Sequence, residues 1–323
     1  MRVAALEVSH WHTPMYLNAV RDLPGRQWIA VSDKRLPLAQ NVAAKYACKA
    51  YASSEQLLDA ERPDFVFIFG EHADMPSLIS LAIDRRIPFC VEKPAALNAP
   101  QLRPLAQAAE RARLFNACCY VYRTAPLARL LLRWRDQGRL GPWTSLNFKY
   151  LTGPPQRYAK WNCPWVLDPA RSGGGTTIIL SVHYVDLLRL LTGEEITHAS
   201  GHLSSNLFRE RIDDHSHLLL RTQSGVISHV ETGFTAAGRP DDMDAFEFMT
   251  EHMEIAFSGA ANELRWWDRA GASGVEKLPA EDSRAVFVQS LFTAPDSGAP
   301  PPATLRDALA VLQVLDQAKR GSS

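Results

Sequence analysis

The chain has 323 residues, enough for two domains at roughly 100–200 residues each. Its 35 Lys and Arg balance 35 Asp and Glu, which argues against a charge-dominated nucleic-acid surface and against a polybasic membrane tether. Hydrophobic residues make up 46% and charged residues 22%, a globular composition that rules out disorder over most of the length, and no apolar run reaches the ~18 residues of a membrane span.

The first segment, MRVAALEVSH, carries an apolar run too short for the roughly 7–15-residue core of a signal peptide. It reads as a first strand, and the expected location is cytoplasmic. Thr13-Pro14 predicts a helix start, with Thr13 as N-cap and Pro14 in the first turn. Strand 28–32 ends at Asp33, and helix 38–46 and a short strand 49–51 follow. The capping-box spacing of Ser53 to Gln56 starts another helix. Strand 65–69 is wholly apolar, as a parallel strand covered on both faces should be. Helix 77–86, strand 88–91, helix 101–113 and strand 115–119 complete the series. This alternation predicts a Rossmann-type, doubly wound parallel sheet over residues 1–120. Ligands of such sheets lie at the carboxyl ends of the strands, near the switch point between strands one and four.

After Tyr120 the pattern changes. Helix 125–137 precedes extended segments at 144–150, 197–205, 217–222, 226–232, 245–250, 252–258 and 263–268, several alternating apolar with polar. A single helix over 176–191 can cover the resulting sheet, and 294–302 reads as a Pro-rich loop. Residues 121–304 are therefore predicted as an α+β domain with a large, mostly antiparallel open sheet. The final helix, 305–319, is assigned to the first domain. Five scattered cysteines with no CxxC pair form neither a disulfide framework nor a zinc knuckle. Cys90, Cys118 and Cys119 read as buried small hydrophobes.

The turn after strand one reads Glu7-Val8-Ser9-His10-Trp11-His12. The three glycine places of GxGxxG, where phosphate approaches backbone, hold Glu7, Ser9 and His12. A helix N-terminus still follows and can hold an anion. Asp33 can accept hydrogen bonds from a ribose diol or simply begin a surface loop. Glu92-Lys93-Pro94 places a lysine at the end of a central strand, where an ammonium can polarise an oxygen. His183 lies on the helix opened by Gly173–Gly175, with Asp186 one turn on. It is either a satisfied core histidine or a general acid/base.

Taken in order, the strand-one segment, Asp33, Glu92-Lys93-Pro94, the glycine run with His183, Asp213-Asp214 and the closing helix resemble the Gfo/Idh/MocA family over essentially the whole chain. The resemblance implies a Rossmann domain plus an α/β domain, and a homodimer or homotetramer. It implies an NAD(P)-dependent dehydrogenase of a sugar, polyol or related carbohydrate derivative, with Lys93 orienting the hydroxyl and His183 as acid/base. The cofactor set would be Val8, Ser9, His10, Trp11, His12, Asp33, Lys34, Gly70, His72, Glu92 and Lys93. The substrate set would be Lys93, Arg123, Tyr158, Trp161 and His183. Asp33 favours NAD over NADP, a preference that Lys34 and Arg35 weaken.

The sequence departs from the family at the glycine turn. It departs again at Gly70-Glu71-His72-Ala73-Asp74-Met75, where the family's Asn and His are His72 and Met75, and at Ile179, where an Asp is usual. Glu7, His10, His12, Glu71 and His72 could line one crevice beside Lys93. An altered cofactor loop is the preferred reading of this cluster, and no metal is assigned. Two alternatives stay open: a non-redox isomerase, lyase or hydrolase of a sugar derivative, and a non-catalytic sugar-binding homologue. His215, His217 and His229 read as ordinary strand residues, and Trp266-Trp267 as sheet packing or a subunit contact.

Overall fold

The computed structural model describes residues 1–237 and 242–320. They form two compact units. The first comprises Met1–Val121, Tyr158–Gly173 and Arg284–Leu309; the second comprises Tyr122–Arg157, Gly174–Ser283 and the chain from Ala310. Tyr158, Trp161 and Trp165, which the sequence places within 121–304, thus belong to the first compact unit. Among the described residues, no helix is long and apolar enough to cross a membrane.

In the first unit, β1 (Arg2–Leu6), β2 (Gln27–Ser32), β3 (Lys49–Tyr51), β4 (Phe65–Ile68), β5 (Phe89–Val91) and β6 (Asn116–Cys118) form one parallel sheet in the order β3-β2-β1-β4-β5-β6. The connecting helices are α1 (Thr13–Arg21), α2 (Leu36–Tyr46), α3 (Ser54–Glu61), α4 (Met75–Asp84) and α5 (Ala99–Arg111). All of β4 and β5 and the last four residues of β1 are buried. This is the burial of strands covered on both faces, and it explains why they read as unbroken apolar runs. Cys90, Cys118 and Cys119 lie in this core as expected, and none of the five cysteines is in a disulfide.

The second unit begins with α6 (Pro126–Asp136). It contains an eight-stranded sheet ordered β14-β13-β12-β11-β7-β10-β9-β8. The strands are β7 (Trp143–Leu151), β8 (Ile196–Ser204), β9 (His215–Thr222), β10 (Ile227–Gly233), β11 (Met243–Thr250), β12 (Met253–Ser258), β13 (Glu263–Asp268) and β14 (Ser273–Lys277). Only the β7–β10 pair is parallel. Period-two alternation sets the two faces: Leu218 and Leu220 of β9 are buried while His217 and Leu219 are exposed. The buried face packs Phe148, Phe246 and Phe248 with Tyr184.

Three local expectations need correction. The helix expected over 176–191 is two, α7 (Thr176–Ile179) and α8 (Ser181–Thr192), separated at Leu180. A helix α9 (Ser283–Ser297) enters the stretch read as a Pro-rich loop, and β14 was not foreseen. Gly274 within β14 carries low intrinsic strand propensity, so the local sequence gives this strand little signal. The last helix, α10, runs Leu305–Arg320.

Candidate active site

The turn after β1 is where the sequence departs most from a dinucleotide-binding loop. Glu7, at the first glycine place, has φ +53°, the left-handed region that glycine enters without steric cost. Its Oε2 accepts the Lys34 N–H at 3.2 Å, and its own N–H donates to Ser32 Oγ at 3.2 Å. Burial, followed by the charge of Asp33, pushes the Glu7 carboxyl up to about 7. Asp33 is fully buried; Oδ2 accepts the Val8 N–H at 3.1 Å and Oδ1 the Arg35 N–H at 2.8 Å.

Helix α1 begins differently from expectation. His12, not Thr13, holds the N-cap position and makes no side-chain cap. The Thr13 N–H donates to His10 O and the Met15 N–H to His12 O, both at 3.0 Å, while Pro14 has no N–H. These first donors are therefore turned into the loop.

Three imidazoles converge here. The His12 N–H donates to His10 Nδ1 at 3.1 Å, which puts the His10 proton on Nε2. His72 donates from Nδ1 to Ser172 O at 2.8 Å, which leaves the lone pair on Nε2. The His10 and His72 ring centroids are 5.8 Å apart. Burial holds both imidazoles below their ordinary range, His72 down to about 3. His12 Nδ1 lies 3.2 Å from Glu92 Oε1, and His10, His12 and Glu92 together offer a donor set that could hold a metal. Lys93 is 2% exposed, with Nζ 5.7 Å from the Trp11 ring centroid; burial lowers its pKa, against the pull of Glu92.

Five buried polar atoms on these loops have no hydrogen-bond partner among the described residues: Ser9 Oγ, His10 Nε2, Thr13 Oγ1, His72 Nε2 and Glu92 Oε2. Buried polar atoms are almost always satisfied by protein or ordered water. A set of donors and acceptors clustered at the carboxyl ends of β1, β4 and β5 is the mark of a site made for a polar ligand.

In segment Tyr158–Gly173 sequence reasoning picks out the aromatic residues Tyr158, Trp161 and Trp165 but misses Cys163 and Arg171. Cys163 Sγ and Trp165 Nε1 donate to Ser9 O at 3.2 and 3.5 Å. Trp165 stands edge-on to His72 at 4.8 Å. Arg171 pairs with Glu71 at 2.6 Å and Asp74 at 2.5 Å, and Lys34 pairs with the same two carboxylates at 2.9 Å. Arg171 lies about a hundred residues from Glu71 and Asp74 in sequence, so no local signal could reveal these pairs. Tyr158 is buried edge-on against Trp11 at 4.7 Å, whereas Trp161 is 50% exposed. Gly70 has a packing reason: a Cβ there would lie 2.7 Å from Leu78 Cδ1, so glycine lets α4 approach.

In the second unit, Gly175 is fixed by close approach, since a Cβ would fall 1.8 Å from Asp213 O. Asp213 accepts the Gly175 and Thr177 N–H groups at 2.6 and 2.8 Å and so caps α7. His183 on α8 is buried, its ring 4.7 Å from that of Tyr122. Asp186, one turn on, grips Arg123 in a two-pronged pair at 2.6 and 2.8 Å. Arg123 thus meets a carboxylate of its own unit.

Residues 10–117 match an oxidoreductase family with an NAD-binding Rossmann fold, and residues 129–258 match the GFO/IDH/MocA C-terminal domain. The chain belongs to the Gfo/Idh/MocA family. The first match starts at His10, beyond the glycine-free turn's first residues. Among curated relatives, D-apiose dehydrogenase of Paraburkholderia graminis is 24% identical over 230 residues, 68% of this chain and 57% of the relative. The scyllo-inositol 2-dehydrogenase (NAD(+)) of Bacillus subtilis is 25% identical over 228 residues, 68% of this chain and 63% of the relative. The matches thus span about three-fifths of the length of these two relatives. A solved levoglucosan dehydrogenase, in complex with NADH and levoglucosan, shares the fold with a TM-score of 0.89 at 16% identity, over 100% of this chain and 97% of that one.

A nicotinamide dinucleotide is the group that this Gfo/Idh/MocA fold implies. Two residues are of the kind that could meet it: a buried acid, Asp33, at the end of β2, and a buried ammonium, Lys93, at the end of β5. At the pyrophosphate turn the fit is poorer. Glu7 stands where glycine would, and the N–H groups of Glu7, Val8, His12, Thr13 and Met15 are already engaged.

Proposed function

We propose that the chain is a cytoplasmic NAD(P)-dependent oxidoreductase of a sugar, polyol or related carbohydrate derivative. The observation that carries this reading is the set of five unsatisfied buried polar atoms on the loops after β1, β4 and β5, the last of which also carries Lys93, at the switch point of a Rossmann sheet. A hydroxyl-rich ligand brings both donors and acceptors to such a site. Asp33 would hold the ribose, with Val8, Ser9, His10, Trp11, His12, Lys34, Gly70, His72 and Glu92 around the cofactor. The bound nicotinamide would supply hydride transfer.

In this reading Lys93 steadies the reacting oxygen and His183 takes or returns its proton, the roles that the family resemblance gives them. The local support for each is a buried ammonium and a buried imidazole packed on Tyr122. Arg123, Tyr158 and Trp161 complete the proposed substrate set. The assembly is a homodimer or homotetramer, which large apolar residues exposed on the eight-stranded sheet support: Leu219, Ile227, Trp267 and Val275. Light scattering on the purified chain tests it.

The deciding experiment titrates the protein with NADH and NADPH, follows nicotinamide fluorescence, and then assays a panel of sugars and polyols. Saturable binding with turnover supports the reading. Absence of binding for both at millimolar cofactor overturns it. One specific arrangement favours a second reading, a non-redox enzyme on the same fold: the buried Glu7 with its carboxyl near 7, beside the closed α1 terminus. Under that reading the polar cluster binds the sugar derivative directly, and calorimetry detects binding without any nicotinamide.

A further inference from the structure

We propose that the exposed face of β9 and β10 holds a divalent transition metal, zinc-like in its preferences, between His215 Nε2, His217 Nε2 and Glu231 Oε1. The three ligand atoms lie within 4.8 Å of one another. His215 Nε2 is 3.2 Å from His217 Nε2 and 3.4 Å from Glu231 Oε1. Tetrahedral geometry with metal–ligand bonds of about 2.0–2.1 Å places ligand atoms about 3.3 Å apart, so these two separations are edges of the required tetrahedron.

The surrounding bonds orient the ligands. His215 Nδ1 lies 3.1 Å from Thr235 Oγ1, and His217 Nδ1 lies 2.9 Å from His229 Nε2. With the Nδ1 protons given to these neighbours, both Nε2 atoms carry lone pairs, and that of His215 lies beside the Glu231 carboxylate oxygen. Three electron-rich atoms then converge on one point, an arrangement that a cation relieves. Metal-binding histidines are usually fixed by such a second hydrogen bond. Glu231 is held on its other side, where Lys149 Nζ sits 3.1 Å from Oε2.

The backbone register builds this site. Glu231 pairs with His217, and His215 with Gly233, across the β9–β10 ladder, so all four point to one face. Gly233 makes the room: a Cβ there would lie 2.6 Å from His215 Nδ1. Three protein ligands leave a fourth position for a further ligand. His202 stands opposite His217 in the β8–β9 ladder, on the same face and exposed.

Cobalt(II) is the probe. The untagged full chain, freed of metal by a chelator, is titrated with Co²⁺ and its visible d–d bands are recorded. The expected result is one equivalent of four- or five-coordinate Co²⁺, displaced by Zn²⁺. His217→Ala and Glu231→Gln should abolish those bands, and Thr235→Val should weaken affinity by about 10–100-fold. His12→Gln, in the other imidazole cluster, should leave them intact. Circular dichroism shows that each variant is folded. Absence of the bands in the wild type means a plain hydrogen-bonded histidine chain and overturns the proposal. Bands that survive in folded His217→Ala and Glu231→Gln overturn it as well.

Discussion

The Oε2 atom of Glu7 accepts the backbone N–H of Lys34 at 3.2 Å, so a carboxylate side chain ties the turn after β1 to the turn after β2. A glycine at position 7 makes no such tie. This contact bears on both readings of the site, and it is open to mutation.

Replacing Glu7 with glycine removes the left-handed strain of a non-glycine residue, of order 1 kcal/mol. It also removes a buried carboxyl. At pH 8 the Glu7→Gly protein should unfold at higher urea than wild type. NADH affinity should rise about tenfold or more under the redox reading, as nicotinamide fluorescence would record. Unchanged affinity would mean that the turn does not meet the pyrophosphate.

Glu7 also sets a pH signature. Its folded value of about 7 exceeds its ordinary 4.5, so between these values the folded state holds a proton that the unfolded state has lost. Stability from this group is therefore full below pH 4.5, declines as pH rises to 7, and is absent above. The loss is bounded by roughly 3 kcal/mol. Asp33, Lys34 and Asp74 are the charged groups acting on Glu7. In urea melts at several pH values, the stability difference between wild type and Glu7→Gln should change sharply between pH 5 and pH 8, where roughly three-quarters of the total change falls.

His72 gives the opposite sign. Burial lowers it from 6.5 to about 3, so its contribution is complete above 6.5 and is lost as pH falls toward 3. His72→Asn keeps an amide donor near the Ser172 carbonyl but cannot titrate. The variant should lose less stability than wild type between pH 6.5 and pH 4.5, as thermal melts would show.

Arg123 and Asp186 form a buried two-pronged pair. Arg123→Ala removes the guanidinium that pairs with the buried Asp186 carboxylate and should cost about 3–5 kcal/mol. The double variant Arg123→Ala/Asp186→Asn should recover a large part of that loss. Chemical denaturation of these two variants and of Asp186→Asn tests this; additive losses would mean the two side chains act independently.

Lys93→Met removes the ammonium from the cluster of unsatisfied polar atoms while nearly keeping its volume. With whichever carbohydrate the panel yields, kcat should fall by about 10²–10³, with a much smaller change in KM. A loss in KM alone would make Lys93 a binding residue rather than one that acts on the reacting oxygen.

Sequence alone determined the parts of this protein that are written in local periodicity. Unbroken apolar runs at Phe65–Ile68 and Phe89–Val91 announce strands covered on both faces, and the alternation around Leu218 and Leu220 announces a sheet with one open face. Asp33, Lys93 and His183 could be singled out because each follows a recognisable strand or glycine run. The tertiary structure alone decided the chemistry between them. Only folding brings Ser172 to His72, Cys163 to Ser9 and Arg171 to Glu71. Only the β9–β10 register turns three ordinary strand residues, His215, His217 and Glu231, into one converging group. Periodicity fixes which face a side chain takes, because that follows from the backbone repeat. Which side chains meet depends on packing between distant segments, and no local repeat encodes it.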